Sequence, residues 1–114
     1  MSEVPRRTNQ ASQLIQEAVA KLILTEVRDP RLPKMLTISY VTVSPNLGHA
    51  RLYLTALGGD EDANKGAIIL NHAAPYLRTK LAKSLKMRTT PQLYFLVDEN
   101  QSRINHLDDL MRKI

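Results

Sequence analysis

Between Arg78 and Arg88 the chain gathers five cations, Arg78, Lys80, Lys83, Lys86 and Arg88, and no acid. At about 100° per residue, Leu77, Leu81 and Leu85 fall on one side of a helix and Lys80, Lys83 and Lys86 on the other. One side suits a core and the other presents positive charge to solvent. Phosphate is the chemistry such a face serves, because each phosphate it neutralises releases condensed counterions. The competing reading is a solvated face that only keeps the chain soluble. Arg78 falls beside Ala82 and Leu85, where it can snorkel over the core or brace a bend as readily as meet a phosphate. Arg88 follows the helix, a position for either a dipole contact or an RNA contact.

A second basic group, Arg28, Arg31 and Lys34, brackets a loop punctuated by Pro30 and Pro33. Within it, Asp29 is read as the partner of an arginine and Pro30 as the end of a helix. Arg6 and Arg7 form a basic arm over residues 1–7. Tyr40, Tyr53, Tyr76 and Tyr94 could stack on bases. Aromatics are only 4% of the chain, however, and core or cross-strand packing is the favoured account of these rings. No catalytic or metal constellation is expected. His49, His72 and His106 are far apart, no i, i+4 His pair or phosphate-binding glycine loop occurs, and Asp60, Glu61 and Asp62 sit where a helix start welcomes negative charge.

Elements must position these groups. Ala11, Leu14, Ile15, Ala18, Val19, Leu22 and Ile23 recur at helical spacing, with Thr8 or Asn9 as cap, and Asp29-Pro30 and Pro33 end that helix. Leu36 to Ser44 reads as a strand, Pro45-Asn46-Leu47-Gly48 as a turn, and the alternation of Ala50, Leu52, Leu54 and Ala56 as a returning strand with one core face. After Gly58-Gly59 a helix with Ala67, Leu70 and Ala74 runs on through Leu77, Leu81 and Leu85. Pro75 in its middle predicts a kink or two helices. Pro91 opens a last strand, apolar on both sides and so expected to be central. Ile104, Leu107, Leu110 and Met111 suggest a short C-terminal helix over 103–114. The order α, β, β, α, bend, α, β brings the last strand beside the hairpin and lays helices on one face of the sheet, an α+β sandwich of two layers.

The 114 residues form a single domain, 43% hydrophobic, with a net charge of +5 that favours polyanionic partners. Cys is absent, which leaves no disulfide framework or thiolate metal site. Apolar runs fall far short of the roughly 20 residues that cross a bilayer, and Met1 to Gln10 has no signal-like apolar stretch. A soluble, cytoplasmic monomer without cofactor is the expectation.

The blocks Val27-Arg28-Asp29-Pro30-Arg31-Leu32, Val43-Ser44-Pro45-Asn46-Leu47 with Ala50, Tyr76-Leu77-Arg78 with Leu81, and Leu85-Lys86-Met87-Arg88 with Pro91, Leu93, Phe95 and Asp98 follow one another across about residues 6–112. In that order and spacing the chain resembles the ribosome-binding factor A family, bacterial assembly factors of the small ribosomal subunit. The resemblance implies a type II KH-like fold with a mixed three-stranded sheet, in which a helix, kink, helix element, typically Ala-x-Gly, replaces the glycine-rich RNA loop. Ala73, Ala74 and Pro75 stand at those positions here, so a residue that fixes φ and lacks an amide replaces the permissive glycine. It further implies a non-catalytic protein that binds the immature 30S subunit through the 5′-terminal helix region of its 16S rRNA. Such a protein assists late maturation, including 5′-end processing, and growth in the cold. Docking on a ribosomal protein or an assembly GTPase, and nonspecific RNA chaperoning, are the alternative functions. The residues expected to meet RNA are Lys80, Lys83, Lys86, Arg88, Arg78, Arg28, Arg31 and Lys34.

Overall fold

The computed structural model describes residues 6–99, so the readings of Met1 to Pro5 and of 103–114 lie outside the described residues. Helix α1 spans Arg6–Glu26, strands β1 and β2 span Leu36–Val43 and His49–Ala56, helix α2 spans Asp60–Leu85 and strand β3 spans Gln92–Val97. The sheet order is β1-β2-β3, with β1 and β2 antiparallel and β2 and β3 parallel. This is the expected two-layer α+β fold with a mixed three-stranded sheet. The placement of β3 differs from expectation: it is an edge strand and β2 is central. Its pattern is apolar on both sides because Leu93 and Phe95 are buried in the core while Tyr94 and Leu96, 40% and 39% exposed, look outward from the opposite face.

Strand β1 changes phase along its length. Leu36 and Ile38 face the core in its first half, Val41 and Val43 in its second, so strict alternation would turn one pair outward. A register shift between Ile38 and Tyr40 leaves Ser39 as the extra residue and restores both pairs to the core side. The Ser39 hydroxyl then donates to the buried Asp98 carboxylate at 2.8 Å, joining β1 to the end of β3 across the sheet.

Ala11, Ile15 and Val19 of α1 are buried as their spacing requires, but Leu14, expected in the same stripe, is 52% exposed. The helix begins at Arg6, so Arg6 and Arg7 belong to its first turn, and Thr8 and Asn9 lie inside it rather than at its cap. Gly59 caps α2 at φ 103, a left-handed backbone that glycine adopts without a Cβ penalty, and Asp60, Glu61 and Asp62 occupy the first turn. A side chain at Gly66 would meet Leu36 at 2.7 Å, so this glycine lets α2 approach β1 closely.

Of the two expected outcomes at Ala73-Ala74-Pro75, a kink or two helices, the second does not occur: α2 is one helix of 26 residues with Pro75 inside it. Leu70, Leu77 and Leu81 lie on the two sides of the proline and are all fully buried, so one continuous apolar stripe holds both halves to the sheet. Pro75 and Asn71, the residue whose carbonyl loses its amide partner, are both exposed, and water can satisfy that carbonyl. The missing bond still costs stability. Pro75→Ala is expected to raise the unfolding free energy by about 1–3 kcal/mol, part of the helix gain being offset by a freer unfolded chain. An unchanged or lower urea midpoint would show that the proline is already compensated.

Each outer edge of the sheet is met by a helix side-chain amide. Asn71 accepts from the Phe95 amide at 2.8 Å and donates to the Phe95 carbonyl at 2.9 Å, acting as a single peptide unit beside β3. Gln16 of α1 donates to the Ile38 carbonyl of β1 at 3.0 Å. Both contacts occupy polar groups through which an open sheet edge would otherwise recruit another strand.

Candidate nucleic-acid interface

The structure divides the expected cationic face. Arg78, Lys83 and Arg88 line one cleft of about 580 Å³ at the C-terminal end of α2, together with Thr79, Ala82, Thr89 and Thr90. Three cations, the hydroxyls of Thr89 and Thr90 and no carboxylate make this a lining suited to phosphate oxygens, while the Thr79 hydroxyl donates to the Pro75 carbonyl at 3.1 Å. Arg78 also has a structural role, because its Nε and Nη2 both donate to the Thr90 carbonyl, at 3.1 and 2.9 Å, and tie the loop before Pro91 back onto the helix. Its part in the cleft is therefore to shape the wall that Arg88 and Thr89 stand on, with its remaining guanidinium hydrogens left to a ligand.

Lys80 and Lys86 are placed apart from this cleft. The Lys80 ammonium lies 5.5 Å from the centre of the Tyr76 ring, a cation–π distance, while the Tyr76 hydroxyl donates to Glu26 at the end of α1. The helix ends at Leu85, so Lys86 leaves the helical face and serves as the C-cap, with φ 50 and ψ 36. That left-handed position is one glycine commonly fills, and its presence in a lysine was not readable from spacing alone.

In the loop after α1, Asp29 accepts from the Arg31 amide at 2.9 Å and from Arg31 Nε and Nη2 at 3.1 and 2.8 Å. The hydrogen bonds from Arg31 hold the Asp29 carboxyl down at about 2, and Asp29 in turn raises the Arg31 pKa. A carboxyl whose folded pKa lies below its unfolded value stabilises the fold above the unfolded value and loses that contribution as pH falls through the folded one. Asp29→Asn is therefore expected to lower stability modestly at pH 7. The difference from the wild type should shrink between about pH 4 and pH 2, as followed by urea unfolding across that range. Arg31 also lines a cleft with Lys65, Ile68 and Ile69 of α2. Lys65 is a cation that sequence reading passed over, because it stands alone in the acidic start of α2 and meets Arg31 only through the fold. Arg28 and Lys34 are exposed in the same loop.

The tyrosines divide as well. Tyr40 and Tyr53 are cross-strand partners with ring centres 4.2 Å apart and planes 11° from parallel, and Tyr94 stands on the same uncovered side of the sheet. Among the described residues no three of His, Cys, Asp or Glu come together as a metal site, and no helix is long and apolar enough to cross a membrane.

A small α+β module with a mixed three-stranded sheet and helices packed on one of its faces has the KH-like architecture. The model of one family, ribosome-binding factor A, matches residues 7–111. A ribosome-binding factor A from Legionella pneumophila (strain Paris) is 46% identical over 100 residues, 88% of this chain and 80% of that protein. One from Pseudomonas fluorescens (strain Pf0-1) is 39% identical over 99% of this chain and 86% of its own. The crystal structure of ribosome-binding factor A from Thermus thermophilus superposes with a TM-score of 0.68 at 28% identity, covering 79% of this chain and 94% of that one. A homology model of the Thermus thermophilus factor, fitted into a cryo-EM map of its complex with the 30S subunit, superposes with a TM-score of 0.61 at 29% identity, covering 75% and 88%. The chain belongs to the ribosome-binding factor A family.

Proposed function

We propose that this protein binds the small ribosomal subunit through its 16S rRNA and assists late maturation, including formation of the rRNA 5′ end, without itself catalysing a step. The observation that carries the reading is the cleft of Arg78, Lys83 and Arg88 with the hydroxyls of Thr89 and Thr90, in a chain whose structural relative has been fitted to a 30S complex. Arg28, Arg31, Lys34 and Lys65, and Lys80 and Lys86 outside the cleft, supply further positive charge to the same polyanion. Binding is stoichiometric: the factor holds local RNA structure in the precursor and leaves when the mature contacts form.

Cosedimentation with purified small subunits, large subunits and free RNA tests this at low and physiological salt. Selective binding to small subunits that weakens as salt rises is expected, since phosphate contacts release counterions. Equal binding to every RNA would reduce the protein to a nonspecific RNA binder. Salt-insensitive binding would move its contact to a ribosomal protein.

A further inference from the structure

Among the described residues helices cover one side of the sheet only, and the residues on the other side are not those of an inert surface. Across the strands, Tyr40 pairs with Tyr53 and Tyr53 with Leu96 in one row. In the next, Thr42 pairs with Arg51 and Arg51 with Tyr94. The rows are separated by two residues of strand, roughly 6.6 Å. The Tyr94 ring is held in place from its hydroxyl, which donates to Gln92 Oε1 at 2.7 Å and lies 3.3 Å from His49 Nδ1. The His49 and Tyr94 rings are 5.8 Å apart. Strands β1, β2 and β3 contain no Asp or Glu at all. Arg51 makes no hydrogen bond or ion pair among the described residues and stands at the centre of the face.

We infer that this face is a stacking platform for unpaired nucleobases, a second RNA-contacting surface separate from the cationic cleft at the end of α2. Three observations select bases over other occupants. The aromatic rings are fixed before a ligand arrives, by mutual stacking for Tyr40 and Tyr53 and by hydrogen bonds for Tyr94, so little side-chain freedom is lost on binding. Within the strands the only full charge on the outward rows is that of Arg51, which complements the backbone joining the bases, and a guanidinium plane itself stacks on a base; Glu99, just past β3, lines a cleft with Tyr40, Tyr53 and Leu96 at one end of the face. Within the three strands Leu96 is the one large aliphatic side chain on the outward rows, with Met35 and Leu57 exposed beyond their ends, which is too little to seat an apolar helix along the face. Sheets with exposed aromatics read single-stranded RNA in this way, two or three bases at a time. The inference extends the proposed RNA function and rests on it, naming unpaired segments as the kind of RNA engaged.

The test uses the full chain, which has no Trp, so tyrosine emission reports on the platform. Two RNA probes of about eight nucleotides, within the usual span for a single-strand site, carry the same phosphates: oligoadenylate and its abasic counterpart. The wild type is expected to bind oligoadenylate at least about 10-fold more tightly than the abasic strand, with quenching of tyrosine emission. Tyr94→Leu should remove most of that preference, and Tyr94→Phe, which keeps the ring, should retain it. Lys83→Glu with Arg88→Glu should weaken both probes alike and leave the ratio intact, so loss of the phosphate cleft and loss of the platform are read separately. Equal affinity of the two probes for the wild type would overturn the platform, without need of any variant. So would a base preference that survives in folded Tyr94→Leu. A face covered by residues 100–114 or reserved for a protein gives the first of these results.

Discussion

Phe95→Ala is expected to cost about 3–5 kcal/mol of folding stability, read as a fall in the urea midpoint at constant slope. The ring is 1% exposed and packs in the shared core of α1, α2 and the sheet. Truncation removes its transfer free energy and leaves a cavity between α2 and an edge strand. What makes the variant informative is that the other anchor at this position survives it, because Asn71 binds the backbone amide and carbonyl of residue 95 and not the ring. The measured loss is then packing, with the edge contact intact. A domain of this length holds on the order of 5–15 kcal/mol in all, so the variant should be folded at low temperature and marginal at 37 °C. A loss below about 1 kcal/mol would mean that the neighbouring leucines collapse into the space and that this end of the core is not well packed.

The same region shows what the sequence could and could not disclose. Periodicity located the hairpin, the returning strand and the stripe Leu70, Leu77, Leu81 because burial repeats at the spacing of the element. It misplaced β3, since a run apolar on both sides describes equally a central strand and an edge strand with an aromatic outer face. The local cost of Pro75, about 3 kcal/mol in a helix interior, allows either a kink or two helices and does not choose between them. The structure shows the stripe remaining in phase across it, which lets tertiary packing keep a single helix. In the cationic segment, residue types were readable and geometry was not. The positive-φ cap at Lys86 and the shared cleft of Lys65 and Arg31 depend on backbone conformation or on residues far apart in sequence, whereas Tyr76 and Lys80, four apart on one helix, are neighbours by spacing. The paired arginine at Asp29 was readable because its partner is two residues away.

Lys83→Glu combined with Arg88→Glu is expected to weaken binding to small subunits by about 10–100-fold at physiological salt and to flatten the slope of log affinity against log salt by about 1.5–2. Both side chains are exposed and neither has a hydrogen bond or ion pair among the described residues, so their replacement should leave stability within about 0.5 kcal/mol. Arg78 is the wrong residue for this measurement even though it lines the same cleft, since its loss would release the Thr90 carbonyl and loosen the loop that carries Arg88. The slope decides more than the affinity does. Removal of two phosphate contacts must reduce the number of counterions released, whereas a loss of non-ionic contacts through a local change of shape would lower affinity while leaving the wild-type slope in place. Lys80→Glu alone should have the smaller effect, because that ammonium is turned toward the Tyr76 ring. Should Lys80→Glu match the double variant, the RNA surface would centre on the α1 side of α2, and the Arg78, Lys83 and Arg88 cleft would be a bystander.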